Sequence, residues 1–96
     1  MAAEPAWEFD WDESKLRHLA RHRISRAEFE QAMTGDPVFM DIRNEGGEER
    51  WYALGATEGL RILFLVFTIR GERIRPITGW TAGKKLRESY LHRKRG

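Results

Sequence analysis

The chain has 96 residues, of which 41% are hydrophobic and 33% are charged, so it can bury one modest core but has no room for a second domain. Its longest apolar run, residues 62–67, is far shorter than the roughly 20 residues that cross a bilayer, which excludes a membrane-spanning helix. The absence of cysteine excludes disulfides and thiolate chemistry, and residues 1–5 lack the pattern of a signal peptide, so we expect a cytoplasmic protein with no membrane partner.

The formal net charge is only +2, but the charges are unevenly distributed along the chain. Residues 4–13 contain five acidic residues and no basic one, whereas residues 84–95 contain six Lys and Arg residues against one acidic residue. The basic end predicts contact with a polyanion or with an acidic protein. The alternative is a solvent-facing helix whose basic last turn complements the helix dipole.

Two helices are predicted near the start of the chain, because two capping signals precede stretches with helical spacing. Asp12 is suited to accept a hydrogen bond from the first turn of one helix. Ser25 and Glu28 have the spacing of a capping box for the next helix. Residues 35–37, Gly-Asp-Pro, end that second helix, and Gly35 is expected in the left-handed cap position.

Four strands and a closing helix are predicted after these helices. The strands are residues 38–42, 49–55, 60–69 and 73–78, and the helix runs from residue 81 to about residue 93. The third strand is apolar on both sides, which favours a central strand covered on both faces. Pro76 favours a bulge or an unpaired edge in the fourth strand, and Trp80 is expected in the turn before the helix.

The predicted fold class is therefore α+β, with two N-terminal helices, a mainly antiparallel four-stranded sheet and a C-terminal helix. These elements form a single domain over residues 7–93, preceded by an N-terminal tail of residues 1–6.

Several short motifs resemble, in order and spacing, the BrnT family of ribonuclease toxins. They are Phe9-Asp10-Trp11-Asp12 with Lys15, Arg21-His22-Arg23-Ile24-Ser25 with Phe29, Asp36-Pro37, Glu49-Arg50-Trp51, Leu54-Gly55, Gly59-Leu60-Arg61-Ile62-Leu63, Val66-Phe67, Arg73-Ile74-Arg75, and Glu88 with Tyr90. Each motif is weak alone, but together they are fairly specific and cover about residues 7–91.

The resemblance implies a RelE-like fold and a toxin of a type II toxin–antitoxin system that cleaves RNA without a metal or cofactor and inhibits translation. It also implies a BrnA-like antitoxin as partner, through which operator DNA is bound. Trp80 departs from the family pattern, because a basic residue is common at that position. A second hypothesis is therefore a catalytically weakened module of this family that binds RNA or an antitoxin without cleavage.

Arginines on the predicted strands are the candidates for binding phosphate. Cleavage of RNA without a metal requires stabilisation of the charge on the phosphorane, and a planar guanidinium can bond two phosphate oxygens. Arg61 and Arg75 are the predicted catalytic arginines, and Arg50 and Arg73 are predicted to bind RNA. Arg73 and Arg75 project from one face of their strand because they are two residues apart. The alternative is that the arginines form ion pairs with nearby acidic residues, of which the candidates are Glu48, Glu49 and Glu72.

His22 is the predicted proton-transfer residue, because only histidine has an unperturbed pKa near neutrality. The alternative is that His22 caps the C-terminal carbonyls of the first helix and complements its dipole. Lys84 is the other predicted catalytic residue, with its charge offered from the last helix.

The remaining predicted RNA-binding residues lie near the C-terminus, and they are Trp80, Lys85, Arg87 and Tyr90. An exposed Trp80 is suited to stack on a base, whereas a buried one fills the core. The helical spacing of Tyr90 with Ala82 and Leu86 favours core packing. Lys84, Lys85 and Arg87 are equally suited to meet acidic groups of an antitoxin. Three separated histidines and no cysteine give no predicted metal site.

Overall fold

The computed structural model describes residues 7–95, and the predicted tail of residues 1–6 lies outside the described residues. Along residues 7–95 the elements are β1 (Glu8–Phe9), α1 (Glu13–Arg21), α2 (Arg26–Thr34), β2 (Val38–Glu45), β3 (Glu48–Ala56), β4 (Ile62–Arg70), β5 (Arg73–Thr81) and α3 (Lys84–Arg95). The predicted α+β class is confirmed, and so are two helices before the four main strands and one after them.

The sheet has five strands in the order β1-β5-β4-β3-β2, so the predicted four-stranded sheet lacked one strand. Strands β2 to β5 pair with their chain neighbours in antiparallel hairpins, as predicted. Strand β1 adds a parallel edge strand, in which Glu8 lies opposite Arg73 and Phe9 opposite Ile74. Two residues are too few to show a strand period in a sequence, and pairing with β5 is what defines this strand.

Both predicted helix N-caps are confirmed. The backbone N–H of Lys15 donates to the Asp12 carboxylate at 2.9 Å. Ser25 and Glu28 form the reciprocal capping box, with hydrogen bonds of 3.0 and 3.1 Å. The prediction that Gly35 has a left-handed conformation was wrong, since its φ is −95°. The left-handed residue is the next one, Asp36, with a φ of 76°.

Strand β5 is longer than predicted and therefore changes the position of Trp80. The strand continues to Thr81, so Trp80 lies in the strand opposite Phe64 and not in a turn, and α3 begins three residues later than predicted. The predicted bulge is confirmed, because the β4–β5 register shifts next to the pair of Phe67 with Pro76. After the bulge, pairing resumes to the end of both strands.

Helices α1 and α2 cover one face of the sheet, which we call the helix face. The buried residues of this layer are Leu19, Ile24, Phe29, Ala32, Met33, Ala53, Leu63, Leu65, Phe67 and Ile74. Burial of this apolar surface is the main favourable contribution to folding.

Helix α3 packs on the opposite face but covers only one end of it. Leu54, Ile62 and Ala82 pack there with Tyr90, and Lys94 near the end of α3 pairs with Asp36 just before β2. The helix therefore runs across the strand ends, and we call the rest of this face the open face. Strand β4 lies between β3 and β5, which confirms the expected central strand, and Val66 and Thr68 are buried on this side although α3 itself covers only the start of the strand.

Helix α2 approaches the sheet closely at Gly55 on the helix face. A Cβ atom at this position would lie 2.3 Å from the carbonyl oxygen of Ala32 in α2. Only a residue without a side chain allows α2 to pack this closely on β3.

We expect Gly55→Ala to destabilise the fold by about 1–3 kcal/mol, because α2 must move away from β3 to admit the methyl group. Urea unfolding followed by circular dichroism measures this change. Gly83→Ala is the matched control, since a Cβ atom there would meet nothing within 4 Å. Equal stability of the two variants would contradict the close contact.

Candidate functional site

A row of arginines crosses the open face at the end away from α3. The sheet register places Arg43 opposite Arg50, Arg50 beside Thr68, and Thr68 opposite Arg75. Alternation along β3 puts Arg50 on this face, since the next residue, Trp51, packs on the helix face. We call Arg43, Arg50 and Arg75 the arginine row. The structure therefore brings together two of the predicted residues, Arg50 and Arg75, from separate strands.

Each arginine of the row has a carboxylate partner, and so does Arg73 on the same face. The distances join a guanidinium nitrogen to a carboxylate oxygen. In the arginine row they are 3.3 Å for Arg75–Asp10, 3.0 Å for Arg50–Glu45, 3.9 Å for Arg50–Glu48 and 2.8 Å for Arg43–Asp41. The distance for Arg73–Glu8 is 3.2 Å. Ion pairing, the alternative considered from the sequence, is therefore observed, although only Glu48 was among the expected partners.

These ion pairs are weak enough for another anion to replace the carboxylate. The side chains of Arg75 and Asp10 are 37% and 47% exposed. Pairs at such exposed positions contribute about 0–1 kcal/mol, because water screens the attraction and two long side chains lose freedom. A phosphodiester that offers two oxygens to one guanidinium can compete with a single carboxylate contact.

A small cleft of about 150 Å³ opens between Arg50 and Arg75. It is lined by Asp10, Asp12, Lys15, Glu48, Arg50, Thr68, Arg75, Pro76 and Ile77. Three cationic and three carboxylate side chains thus face one another, and the formal charge of the lining is zero. Within residues 7–95, Arg50 Nε is buried and has no hydrogen-bond acceptor, and the carboxylate oxygen of Glu48 lies 3.9 Å from it.

The carboxylates of the cleft differ in their hydrogen bonding. The backbone N–H of Lys15 and the hydroxyl of Ser14 both donate to Asp12, and these bonds hold the pKa of its carboxyl below the usual value. Asp12 therefore remains charged and occupied with the α1 cap. Asp10 and Glu48 contact arginine side chains instead.

Aromatic side chains form a second row on the open face, between the arginine row and α3. The ring centroids of Phe64 and Trp80 lie 5.0 Å apart, and those of Tyr52 and Phe64 lie 5.9 Å apart. The guanidinium of Arg43 lies over the Tyr52 ring, 5.3 Å from its centroid. We call Tyr52, Phe64 and Trp80 the aromatic row. Trp80 is thus partly exposed, at 38%, and does not fill the core.

Tyr52, Phe64 and Arg43 were not among the predicted site residues. The signal for Tyr52 was present, because alternation places it on the same side of its strand as Arg50. Phe64 was missed because β4 was expected to be covered by other elements on both faces. Arg43 lies beyond the predicted end of its strand.

Arg61 lies outside the arginine row, just before β4, and joins three parts of the fold. Its guanidinium donates to the carbonyls of His22 and Arg23 at the end of α1, to the carboxylate of Glu28, and to the hydroxyl of Thr81. It therefore satisfies the carbonyls of the two residues that follow the last turn of α1. This geometry supports a structural role for Arg61.

His22 also lies away from the arginine row. It is the exposed C-cap of α1, and its ring packs edge-on against His18 at 5.3 Å. The His18 ring in turn contacts the Thr78 hydroxyl at 2.7 Å, and Thr78 is three residues from Arg75 along β5, or about 10 Å of extended strand. The contacts of His22 are with His18 and Arg61 and not with a residue of the arginine row.

The predicted residues of α3 are divided between surface and core. Lys84, Lys85 and Arg87 are exposed, and the Lys84 ammonium lies 4.0 Å from Glu88. Tyr90 is only 7% exposed and packs in the α3 cluster, so its ring is not available to stack on a base. Core packing, the alternative favoured by its helical spacing, is therefore what the structure shows for Tyr90.

The fold and the open face define a small α+β domain whose sheet presents arginine and aromatic side chains on one accessible surface. The sequence model of the ribonuclease toxin BrnT of type II toxin–antitoxin systems matches residues 11–85, and the chain belongs to this family. Membership implies an antitoxin partner and an RNA target. A search of curated protein sequences finds no match.

No group of three or more His, Asp or Glu side chains in residues 7–95 is arranged to hold a metal ion. No helix in the same range is long and apolar enough to span a membrane.

We expect Arg61→Lys to lower the free energy of unfolding by about 1–3 kcal/mol, because an ammonium cannot reach the carbonyl, hydroxyl and carboxylate acceptors together. Denaturant unfolding measures this loss. Arg87→Lys on the exposed side of α3 is the control, and it should change stability little. If Arg61→Lys unfolds like the control, the structural role of Arg61 is wrong.

Acid should weaken the same network through Glu28. The Ser25 N–H bond, assisted by the charge of Arg61, holds the pKa of the Glu28 carboxyl below its ordinary value of 4.5. A pKa that is lowered by folding stabilises the protein above the ordinary value, and this stabilisation is lost as the pH falls through the folded pKa. Between about pH 5 and about pH 3, Glu28→Gln should therefore lose less stability than the wild type. Glu58→Gln, at an exposed turn, should lose as much as the wild type.

Proposed function

We propose that this protein is an endoribonuclease toxin that cleaves RNA at the cleft of the open face, without a metal, and thereby inhibits translation when its antitoxin is absent. The observation that carries the proposal is the meeting of Arg50 and Arg75, from two strands, at one accessible cleft. Membership of a ribonuclease toxin family supports the reaction class.

The proposed reaction is transfer of the phosphodiester to the neighbouring 2′-hydroxyl. The 2′-oxygen forms a bond to phosphorus and gives its proton to a base, while the bond from phosphorus to the 5′-oxygen breaks and that oxygen receives a proton. The products are a 2′,3′-cyclic phosphate and a 5′-hydroxyl. Arg50 and Arg75 bind the non-bridging oxygens and stabilise the charge that develops on the phosphorane.

Proton transfer in this proposal belongs to the groups that line the cleft. Asp10 and Glu48 are the carboxylates beside the two arginines, and one of them accepts the proton of the 2′-hydroxyl. The Lys15 ammonium lines the same cleft and donates to the leaving oxygen. His22, Arg61 and Lys84 stay predictions from the sequence, and the proposed site does not require them at the reacting phosphate.

We also propose that the antitoxin is of the BrnA kind and contributes the binding of operator DNA. The exposed Lys84, Lys85 and Arg87 on α3 are suited to acidic groups of such a partner. An antitoxin segment that crosses from α3 to the open face would exclude RNA from the cleft. The same basic side chains are suited to RNA phosphates when the antitoxin is absent.

Purified protein without antitoxin is expected to cleave RNA in the presence of EDTA. Arg75→Ala should lower the cleavage rate about 100-fold, because one of the groups that stabilise the transition state is removed. Arg17→Ala is the matched control, since Arg17 also forms one exposed ion pair, with Glu13, on α1. Separation of labelled RNA fragments on a denaturing gel measures the rates.

Two outcomes of this experiment would contradict the proposed site. In the first, Arg75→Ala and Arg17→Ala both cleave like the wild type. In the second, Arg75→Ala keeps full activity while His22→Ala loses it, which would move the reaction to the end of α1.

Asp10→Asn separates two roles of Asp10: cleavage falls if it accepts the proton, and RNA binding tightens if it only neutralises Arg75.

A catalytically weakened module is the second candidate function. Two observations favour it. Trp80 occupies a position on the open face at which a basic residue is common in the family. All four arginines predicted on the strands have carboxylate partners, and they are Arg50, Arg61, Arg73 and Arg75. Such a module binds RNA or the antitoxin, with affinity that falls as salt rises, and releases no fragments. Metal-independent cleavage by the folded wild type excludes this candidate.

A further inference from the structure

We infer that the aromatic row is a base-stacking platform and that the open face takes single-stranded RNA in preference to duplex RNA. This inference rests on the proposed function only in that it takes RNA as the ligand. It assigns roles to Tyr52 and Phe64, which the sequence did not suggest, and it fixes the role of Trp80.

The geometry of the row fits stacking. The rings of Phe64 and Trp80 pack against each other across β4 and β5, with centroids 5.0 Å apart and an angle of 36°, and Phe64, half-buried against the α3 cluster, supports the more exposed Trp80 ring. Tyr52 continues the row onto β3, at 5.9 Å from Phe64. The row spans three adjacent strands, or about 10 Å, and aromatic side chains on a sheet of this kind stack about two or three bases.

The charges beside the row fit a nucleic-acid backbone. Successive positions on one face of a strand lie about 7 Å apart, so Arg50 and Arg75 are about 7–14 Å from the rings along the strands. The Arg43 guanidinium lies over the Tyr52 ring and pairs with Asp41, so a base that stacks on Tyr52 displaces this guanidinium, which can then meet a phosphate. A strand whose bases stack on the rings therefore has its phosphates within reach of the arginine row. This charge complementarity favours RNA over an apolar peptide as the occupant.

Only unpaired bases can use this platform. In a duplex the base faces are already stacked on one another, and the deep groove of A-form RNA does not admit a flat sheet. A duplex would gain contacts from the arginines but none from the rings. Single-stranded RNA gains both kinds of contact, so the aromatic row favours unpaired RNA whatever its base sequence.

The test uses the full-length chain and short RNA oligonucleotides whose 2′-positions carry fluorine, so that no 2′-hydroxyl is available and binding is measured without cleavage. Fluorescence anisotropy gives the dissociation constants for a single strand and for the duplex of the same sequence. We expect the single strand to bind about tenfold or more tightly than the duplex.

Variants of Trp80 test the platform itself. Trp80→Ala should weaken binding of the single strand about tenfold, and Trp80→Leu, which retains apolar bulk without a ring, should behave alike. Trp80→Phe should recover most of the affinity. Trp7→Ala is the matched control, because Trp7 has the same exposed fraction of 38% but precedes β1 and lies outside the aromatic row. Circular dichroism confirms that each variant is folded.

The salt dependence separates stacking from charge. Trp80→Leu should lower the affinity without changing the slope of log affinity against log salt, whereas Arg75→Gln should reduce the slope by about 0.7, the value for one lost phosphate contact on a single strand. A smaller slope for Trp80→Leu would contradict stacking.

Equal binding of single strand and duplex, or equal affinities of Trp80→Leu and Trp7→Ala, would overturn the inference. If the wild type prefers the single strand as expected but leaves ordinary RNA intact, the proposed cleavage is wrong and the base-stacking platform is supported. A wild type that cleaves RNA, with Trp80→Leu binding and cleaving equally well, preserves the cleavage and overturns the platform. If the open face binds a peptide and not RNA, neither the preference for the single strand nor the loss of affinity in Trp80→Leu will be observed, and the inference is overturned.

Discussion

The unequal covering of the two sheet faces is the constraint on which the rest of the structure depends. Helices α1 and α2 bury the helix face, and the close approach at Gly55 holds α2 directly on β3. Helix α3 crosses only the strand ends on the other side, where Tyr90 and Lys94 fix it. The open face is therefore supported from behind by a packed core, and its side chains lie on rigid strands. A surface of this kind can hold ligand-binding groups in fixed positions.

Charge balance explains how so many cations can lie together in the free protein. Converging guanidinium groups repel one another unless anions lie among them, and Asp10 and Glu48 supply these anions in the cleft between Arg50 and Arg75. The exchange of a carboxylate for a phosphate oxygen preserves this balance when RNA binds. Arg61 differs, because its partners are backbone carbonyls and side chains of the fold itself. Arg61 thus holds α1 to the sheet, whereas the arginine row is accessible to a ligand.

Local features of the fold were predictable from the sequence, and features that depend on distant partners were not. The Asp12 cap and the Ser25–Glu28 box involve residues three apart, so both could be predicted correctly. The extra strand β1 depends on its pairing with β5, more than sixty residues away. The same pairing brings Asp10 to Arg75, so this ion pair could not be foreseen. Strand alternation predicted that Arg73 and Arg75 share one face of their strand, whereas the meeting of Arg50 with Arg75 and the contact of Arg61 with the end of α1 depend on the packing of the whole domain.

The central claim is that a phosphodiester enters the cleft of the open face, and nuclear magnetic resonance of the side-chain Nε–H groups of arginine tests it most directly. On addition of a single-stranded RNA that cannot be cleaved, we expect the Nε–H signals of Arg50 and Arg75 to shift together, while the Arg61 signal stays in place. Shifts confined to Arg61 and His22, with Arg50 and Arg75 unchanged, would contradict the account and place the RNA at the end of α1.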